Sequence, residues 1–307
     1  MIPKHKYILL ITVSIVLLSA LFLAFQSDSP EEETLTNEDG ADTQVPTTHD
    51  NAAIINNKIF IKGSDTILPV SNAESEAYMK LHPEHEIIII GGGSSLGIAS
   101  FIEGEVEIAM ASRKIKESEI ETAADKGIEP IETIIAWDGI SVIVNKDNPL
   151  ESLSIEQLKR IYTGEITNWK DLRGNDEEIK VLIRDSSSGT YGFFKENVLL
   201  DEEYFQGAIT EPNTEAVVGD VSTDTAAIGY IGLAYMDESV KMLGLGVQED
   251  VFYPEAELIR GGTYPLSRPL QYYTNGRPEG IAKEYIDFVL SDTGQEIVSN
   301  VGYLPVR

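Results

Sequence analysis

The 307-residue chain contains no cysteine. That excludes disulfides, thiolate metal sites and a cysteine nucleophile, along with tethering through a lipid-modified N-terminal cysteine. Positive charge is also scarce: 23 Lys and Arg stand against 51 Asp and Glu, a formal charge of −28. A surface of that sign repels nucleic acid and anionic membrane faces, so neither is an expected partner. Catalytic motifs are missing as well. No G-x-S-x-G elbow occurs, and the glycine-serine stretches lack the lysine of a nucleotide P-loop. Of the four histidines, His5 and His49 precede the expected folded region, and His82 and His85 flank Pro83 at a helix end. No general base is evident, so the chain does not read as an enzyme. No cofactor and no metal site are expected.

Long apolar runs are confined to one place. "YILLITVSIVLLSALFLAF", Tyr7 to Phe25, carries no charge over 19 residues, close to the roughly 30 Å thickness of a bilayer core at about 1.5 Å per residue. Lys4 and Lys6 precede it and acidic residues follow it, so the positive-inside bias places the N-terminus in the cytoplasm and the rest outside. Residues 1–26 are expected to be a transmembrane anchor or a signal peptide. The run exceeds the usual signal core of about 7–15 residues, and "AFQSDSPEEE" offers no small-x-small cleavage site; both favour a retained anchor. Residues 27–50 hold eight acidic side chains and no Lys or Arg, and 27–56 read as a disordered acidic tether. Residues 51–307 carry a net charge of −22. The chain is expected at the outer face of the cell membrane, or secreted if the segment is cleaved.

From Lys58 onward, short apolar runs alternate with helical stretches. "KIFIKG" (58–63), "HEIIIIGGG" (85–93), "VEIAMAS" (106–112) and "ETIIAWDGISVIVN" (132–145) read as strands. "ILPVSNAESEAYMKLHP" (67–83), "LGIASFIEGE" (96–105) and "KESEIETAADKG" (116–127) read as helices. A second unit follows, with a helix over 154–165 opened by Ser154 and Gln157 at capping-box spacing, a strand at 179–184, a helix through "GTYGFFKENVL", an apolar, glycine-punctuated stretch at 226–235, a late strand at 268–276, and closing helices over 278–302. Strand–helix–strand repetition predicts an α/β fold with mostly parallel sheets, and a chain of this length predicts two lobes.

Three loops share one character, each leaving a strand and entering a predicted helix: "GSDT" (63–66), "GGGSSLG" (91–97) and "SSSGT" (186–190). Helix N-termini present unpaired N–H donors and a partial positive potential. Glycines let that backbone approach a ligand, and Ser and Thr add donors without bulk. Arg113 and Arg184 flank strand ends, where a guanidinium can grip a tetrahedral oxyanion with two prongs. Each feature also has a plain reading: turns for the glycine-serine runs, an N-cap for Asp65 or Thr66, and a surface ion pair for Arg184. The joint occurrence of all three loops favours an anion site. Asp138 lies in an otherwise apolar strand, either as a turn residue before Gly139 or as an acceptor in a cleft. A buried carboxylate accepts the proton that phosphate carries near neutral pH and penalises sulfate, which has none to give.

Together these segments resemble the phosphate-binding subunit of ABC phosphate transporters. "KGSDTILPVSNAESEAYM", "IIIIGGGSSLGIASFIEGEVEIAMASRKI", "LSIEQLKRIYTGEITNWKDL", "RDSSSGTYGFF" and "YPLSRPLQYYTNG" match family segments in order. The resemblance implies a periplasmic-binding-protein fold of two α/β lobes joined by crossing strands, with lobe 1 formed by 57–141 and 237–307 and lobe 2 by 142–236. It implies capture of inorganic phosphate between the lobes and delivery to ABC permease subunits, by a chain expected to be monomeric. The implied ligands are Thr66 with Ser64 and Asp65, then Ser94 and Ser95, and Arg184, Ser188, Gly189 and Thr190, with Arg113 and Asp138 as further candidates. Arg113 stands where some relatives carry an acidic residue that accepts the phosphate proton, which leaves Asp138 or Asp65 for that role. A receptor or sensor for another tetrahedral oxyanion is the alternative, and a phosphatase-like enzyme the more remote one.

Overall fold

The computed structural model describes residues 57–307; the expected anchor and tether lie outside the described residues. No helix among the described residues is long and apolar enough to cross a membrane. The branched, apolar runs form β1 (Lys58–Gly63), β2 (Glu86–Ile90) and β3 (Ile108–Ala111), separated by α1 (Leu68–Leu81) and α2 (Ser94–Ile102). Helical crossovers permit parallel pairing, and β1 pairs in parallel with both β2 and β3. After α3 (Glu117–Asp125) the chain enters β4 (Pro130–Asn145), one continuous strand of 16 residues.

β4 serves two hydrophobic cores. Its first half pairs antiparallel with β11 (Ser267–Asn275), and Ile135 and Ala136 pack with Ile61, Val70, Tyr272 and Tyr285. Its second half pairs with β8 (Ala227–Gly232) and β9 (Val240–Val247), and Ile140, Val142 and Val144 join a different cluster around Trp169, Phe194 and Tyr230. A strand of this length spans about 50 Å at roughly 3.3 Å per residue, enough to belong to both. The handover falls at Trp137–Gly139.

Around the second core the chain forms β5 (Ser152–Ser154), α4 (Ile155–Tyr162), β6 (Lys180–Arg184), α5 (Gly189–Phe194), β7 (Ile209–Glu211), α6 (Thr214–Thr223) and β8, with β6 parallel to both β7 and β8 and α6 packing Val217, Val218 and Val221 in a separate cluster with Ile143, Leu182 and Ile231. The capping box at the start of α4 is formed: Gln157 N donates to Ser154 Oγ at 3.0 Å, and Ser154 N donates to Gln157 Oε1 at 2.8 Å. β10 (Asp250–Phe252) and α7 (Ala256–Arg260) lead to β11, and α8 (Gly280–Val289) and α9 (Asp292–Val301) close the chain over the first core. Residues after 237, where a return to the first lobe is expected, join the second core. β9 hydrogen-bonds to the far half of β4 and to β5, and Leu243, Leu245, Ile259, Tyr264 and Leu266 all pack in the second core. The chain re-enters the first core only with β11.

One residue works against the first core. Glu74 on α1 is fully buried, and neither carboxylate oxygen has a hydrogen-bond partner among the described residues. Burial holds its pKa well above the ordinary carboxylate range. Between the unfolded and the raised folded pKa, the unfolded chain releases a proton that the native state keeps, so stability declines as pH rises. Glu74→Met, close in volume and apolar, is expected to raise the urea midpoint at pH 8 and to raise it less at pH 5. An equal gain at both values would show that Glu74 does not carry this proton.

Candidate anion site

The three hydroxyl loops meet where β4 changes cores. The first leaves β1 at Gly63, whose φ is +143°; a Cβ there would fall 2.1 Å from the Met110 carbonyl oxygen, so only glycine lets β1 run this close to β3. Ser64 Oγ donates to Ser112 Oγ at 2.9 Å. Thr66 Oγ1 lies 2.9 Å from Thr190 Oγ1, a direct link between the first and third loops. Tyr235 donates its hydroxyl to the Asp65 carbonyl at 2.7 Å, and Tyr303 donates to that of Thr66. The loop's shape is therefore set from the far end of the chain.

The second loop brings Ser94, whose Oγ accepts from Ser112 N at 3.1 Å. A Cβ on Gly189 would sit 2.2 Å from Ser94 Oγ and 2.5 Å from Ser112 Oγ, so the backbone of the third loop lies directly against these two hydroxyls. Ser188 caps α5, its Oγ accepting from Thr190 N and Tyr191 N. Neither α1 nor α2 has a side-chain cap, although Asp65 and Thr66 were candidates for that role. Their hydroxyls and carboxylate are spent on the neighbouring loops instead. Ser64, Thr66, Ser94, Ser112, Ser188 and Thr190 are all buried.

Three arginines border the cluster, with different partners. Arg184 is buried and reaches across the loops: Nη2 donates to Asp65 Oδ2 at 2.9 Å and Nη1 to Thr214 Oγ1 at 2.8 Å, while Nε has no partner among the described residues. Asp65 Oδ1 in turn accepts from Gly92 N at 2.8 Å, joining the first and second loops. Arg113 is placed elsewhere. Its guanidinium grips Glu119 on α3 with two bonds of 2.7 and 2.9 Å and donates to Ser95 Oγ at 3.0 Å. Arg113 and Ser95 thus pair with each other at the edge of the cluster, and the structure does not bring Arg113 to Thr66 or Thr190.

The third arginine, Arg268, was not among the residues expected from sequence. It stands directly across the β4–β11 ladder from Asp138, and both side chains are entirely out of solvent. Arg268 donates from Nε and Nη2 to Asp138 Oδ2 at 2.9 and 2.7 Å, and from Nη1 to the Ser112 carbonyl at 3.1 Å and to Thr190 Oγ1 at 3.0 Å. Asp138 Oδ1 accepts from Leu233 N at 3.0 Å. Burial pushes the Asp138 pKa up, and the Arg268 charge and its hydrogen bonds pull it back. The available signal was "SRPLQYY": a charge preceding proline in a strand otherwise fit for burial.

Residues 36–293 match the family model described as the PBP superfamily domain. The chain is 32% identical over 263 residues to the phosphate-binding protein PstS of Pseudomonas aeruginosa, covering 80% of this chain and 81% of that one. It is 35% identical over 253 residues to PstS of Staphylococcus haemolyticus, covering 79% of each. Among solved structures, a putative phosphate ABC transporter substrate-binding protein with bound phosphate from Clostridium perfringens is 36% identical with a TM-score of 0.74, covering 81% of this chain and all of that one. An ABC-type phosphate transport receptor from Vibrio cholerae is 32% identical with a TM-score of 0.68, over 80% and 99% of the two chains. These matches extend across nearly all of the described residues and through every segment that builds the hydroxyl cluster; the chain belongs to the phosphate-binding protein family of the PBP superfamily and has its α/β fold.

Proposed function

We propose that this chain is the substrate-binding component of a phosphate ABC transporter, capturing inorganic phosphate at the hydroxyl cluster and delivering it to permease subunits. The observation that carries the reading is the meeting of Thr66, Ser94 and Thr190, from segments up to 124 residues apart, beside the buried guanidinium of Arg268. Such a cluster offers directed donors from neutral groups and keeps one cationic fork close by. Arg184 has a further N–H to give. The relatives named for phosphate binding and transport support the same ligand. The lobes are proposed to divide at Trp137–Gly139 on the way out and at Ser267 on the return, following the two cores. The chain is proposed to bind without catalysis, as a monomer, outside the cytoplasm and tethered through residues 1–26.

Within the site, Thr66, Ser64, Ser94, Ser188, Gly189, Thr190 and Arg184 are proposed as direct ligands. Ser95 and Arg113, held by Glu119, are assigned to the rim. Asp138 is proposed as acceptor of the phosphate proton, ahead of Asp65, because it shares the Arg268–Thr190 network and is the more deeply buried of the two. A carboxylate so placed repels an oxyanion that brings no proton, which favours phosphate over sulfate.

Calorimetric titration is expected to show saturable binding of one phosphate per chain and none of sulfate at the same concentration; a preference for sulfate or molybdate would move the assignment to another oxyanion. Asp138→Asn is expected to narrow the preference for phosphate over sulfate, whereas Asp65→Asn leaves that ratio in place; the reverse outcome transfers the acceptor role to Asp65. Arg184→Ala is expected to weaken phosphate at least about tenfold, the loss of one charge-assisted hydrogen bond. With a net charge of −22 on residues 51–307, stopped-flow association is expected to accelerate as salt is added, because screening removes like-charge repulsion.

A further inference from the structure

At the end of α1 remote from the hydroxyl cluster lies the sequence His82-Pro83-Glu84-His85, which the anion site does not use. His82 N donates to the Tyr78 carbonyl at 2.9 Å, and His85 N donates to the His82 carbonyl at 3.0 Å. The second bond closes a four-residue turn with proline at its second position, the place where a fixed φ favours the turn. The two imidazoles are thereby held side by side, with centroids 5.7 Å apart and planes 10° from parallel. Tyr78 is buried beneath them. Its ring stacks on His82 at 4.5 Å, and its hydroxyl lies 2.9 Å from His85 Nδ1. Tyr78 is itself held by edge contacts to Tyr285 and Phe288 on α8. The same helix carries Glu284, whose carboxylate lies 3.9 Å from His85 Nδ1.

We propose that His82, His85 and Glu284 form a binding site for a divalent transition ion of the zinc type. One ligand atom from each of the three lies within 4.8 Å of the others. Tetrahedral ligands about 2.0–2.1 Å from zinc are separated by about 3.3 Å, so side-chain rotation about this fixed turn closes the set. Two imidazoles and a carboxylate suit zinc, nickel or cobalt, whereas calcium and magnesium require all-oxygen shells. The Glu84 carboxylate, 3.6 Å from His82 Nδ1, offers a further oxygen. Both histidines are half-buried and Glu284 is exposed, so an ion enters from solvent. Bound there, it would link the turn to α8, about two hundred residues away in sequence. It would also sit beside the point where residues 1–56 join the fold, since Glu86 N donates to the Asn57 carbonyl at 2.7 Å.

The test uses the full-length chain in detergent, freed of chelators and carrying no affinity tag, titrated with zinc chloride by calorimetry. One saturable high-affinity event per chain is expected, with none for calcium or magnesium. The double variant His82→Ala/His85→Ala is expected to abolish it, and Glu284→Ala to weaken it about tenfold. Both variants are expected to keep the far-UV circular dichroism and the phosphate affinity of the parent, so a folding defect or a wrong ligand assignment at the anion site is told apart from loss of the metal. In the double variant His5 and His49 remain as an internal control. Zinc binding that survives the double substitution, or no saturable event in the parent chain, overturns the proposal.

Discussion

The guanidinium of Arg268 ties the structure together at one buried point. It bonds Asp138 across the β4–β11 ladder, the carbonyl of Ser112 at the end of β3, and the hydroxyl of Thr190 at the start of α5. Removing both charges from water costs several kcal/mol per ion, and their attraction repays this only when the remaining hydrogen-bonding capacity is also met. Here it is met almost completely: Leu233 N–H takes the second oxygen of Asp138. A pair of leucines would cost less to bury. What the ion pair provides instead is direction, because a planar fork held on one side by a carboxylate turns its Nη1 toward the Ser112 carbonyl and the Thr190 hydroxyl of the cluster.

The same logic separates the two arginines that sequence placed on equal terms. Both Arg113 and Arg184 follow a strand end and precede a helix. Arg113 has Glu119 six residues ahead, in the first turn of α3, and the local carboxylate captures both prongs. Arg184 has an even nearer acid, Asp185, but that exposed carboxylate accepts from Ser187 N at 2.8 Å, shaping the serine loop. Arg184 is left to reach Asp65, 119 residues away. Which arginine serves the cluster is thus decided by the neighbouring acid's choice of partner, and charge and spacing alone leave that choice open.

Much of the fold was legible because its signals are local. The branched runs of β1 and β6, the long apolar β4, and the capping box of α4 all sit within one or two residues of where periodicity places them, and β2 lies inside its expected range. The segments that escaped, among them β5, β7, α6, β9 and β10, are short or glycine-punctuated, and β9 finds its ladder on β4, about a hundred residues away in sequence. β9 shows the consequence: its allegiance to β4 is a long-range hydrogen-bond ladder that sequence spacing does not reveal. In the site, the convergence of three hydroxyl loops was readable because each has the same strand-to-helix grammar. Arg268 was not, because its importance lies in being opposite Asp138, a matter of register rather than of motif.

An anion site within so acidic a chain is a matter of range. At about 0.1 M salt, charges separated by more than roughly 10 Å scarcely sense each other, so the net negative surface governs approach and has little hold on a bound guest. Inside the cluster the carboxylates are already committed: Asp65 to Gly92 and Arg184, Asp138 to Arg268 and Leu233. Each carboxylate is held by a guanidinium and a backbone amide, and around them stand hydroxyls, further amides and the outer edges of two guanidinium forks. Selection among oxyanions then depends on matching protons to lone pairs. With Asp138 as the proposed acceptor, a guest that accepts from hydroxyls and donates one proton satisfies such a wall, and a guest that only accepts leaves a carboxylate lone pair facing a negative oxygen.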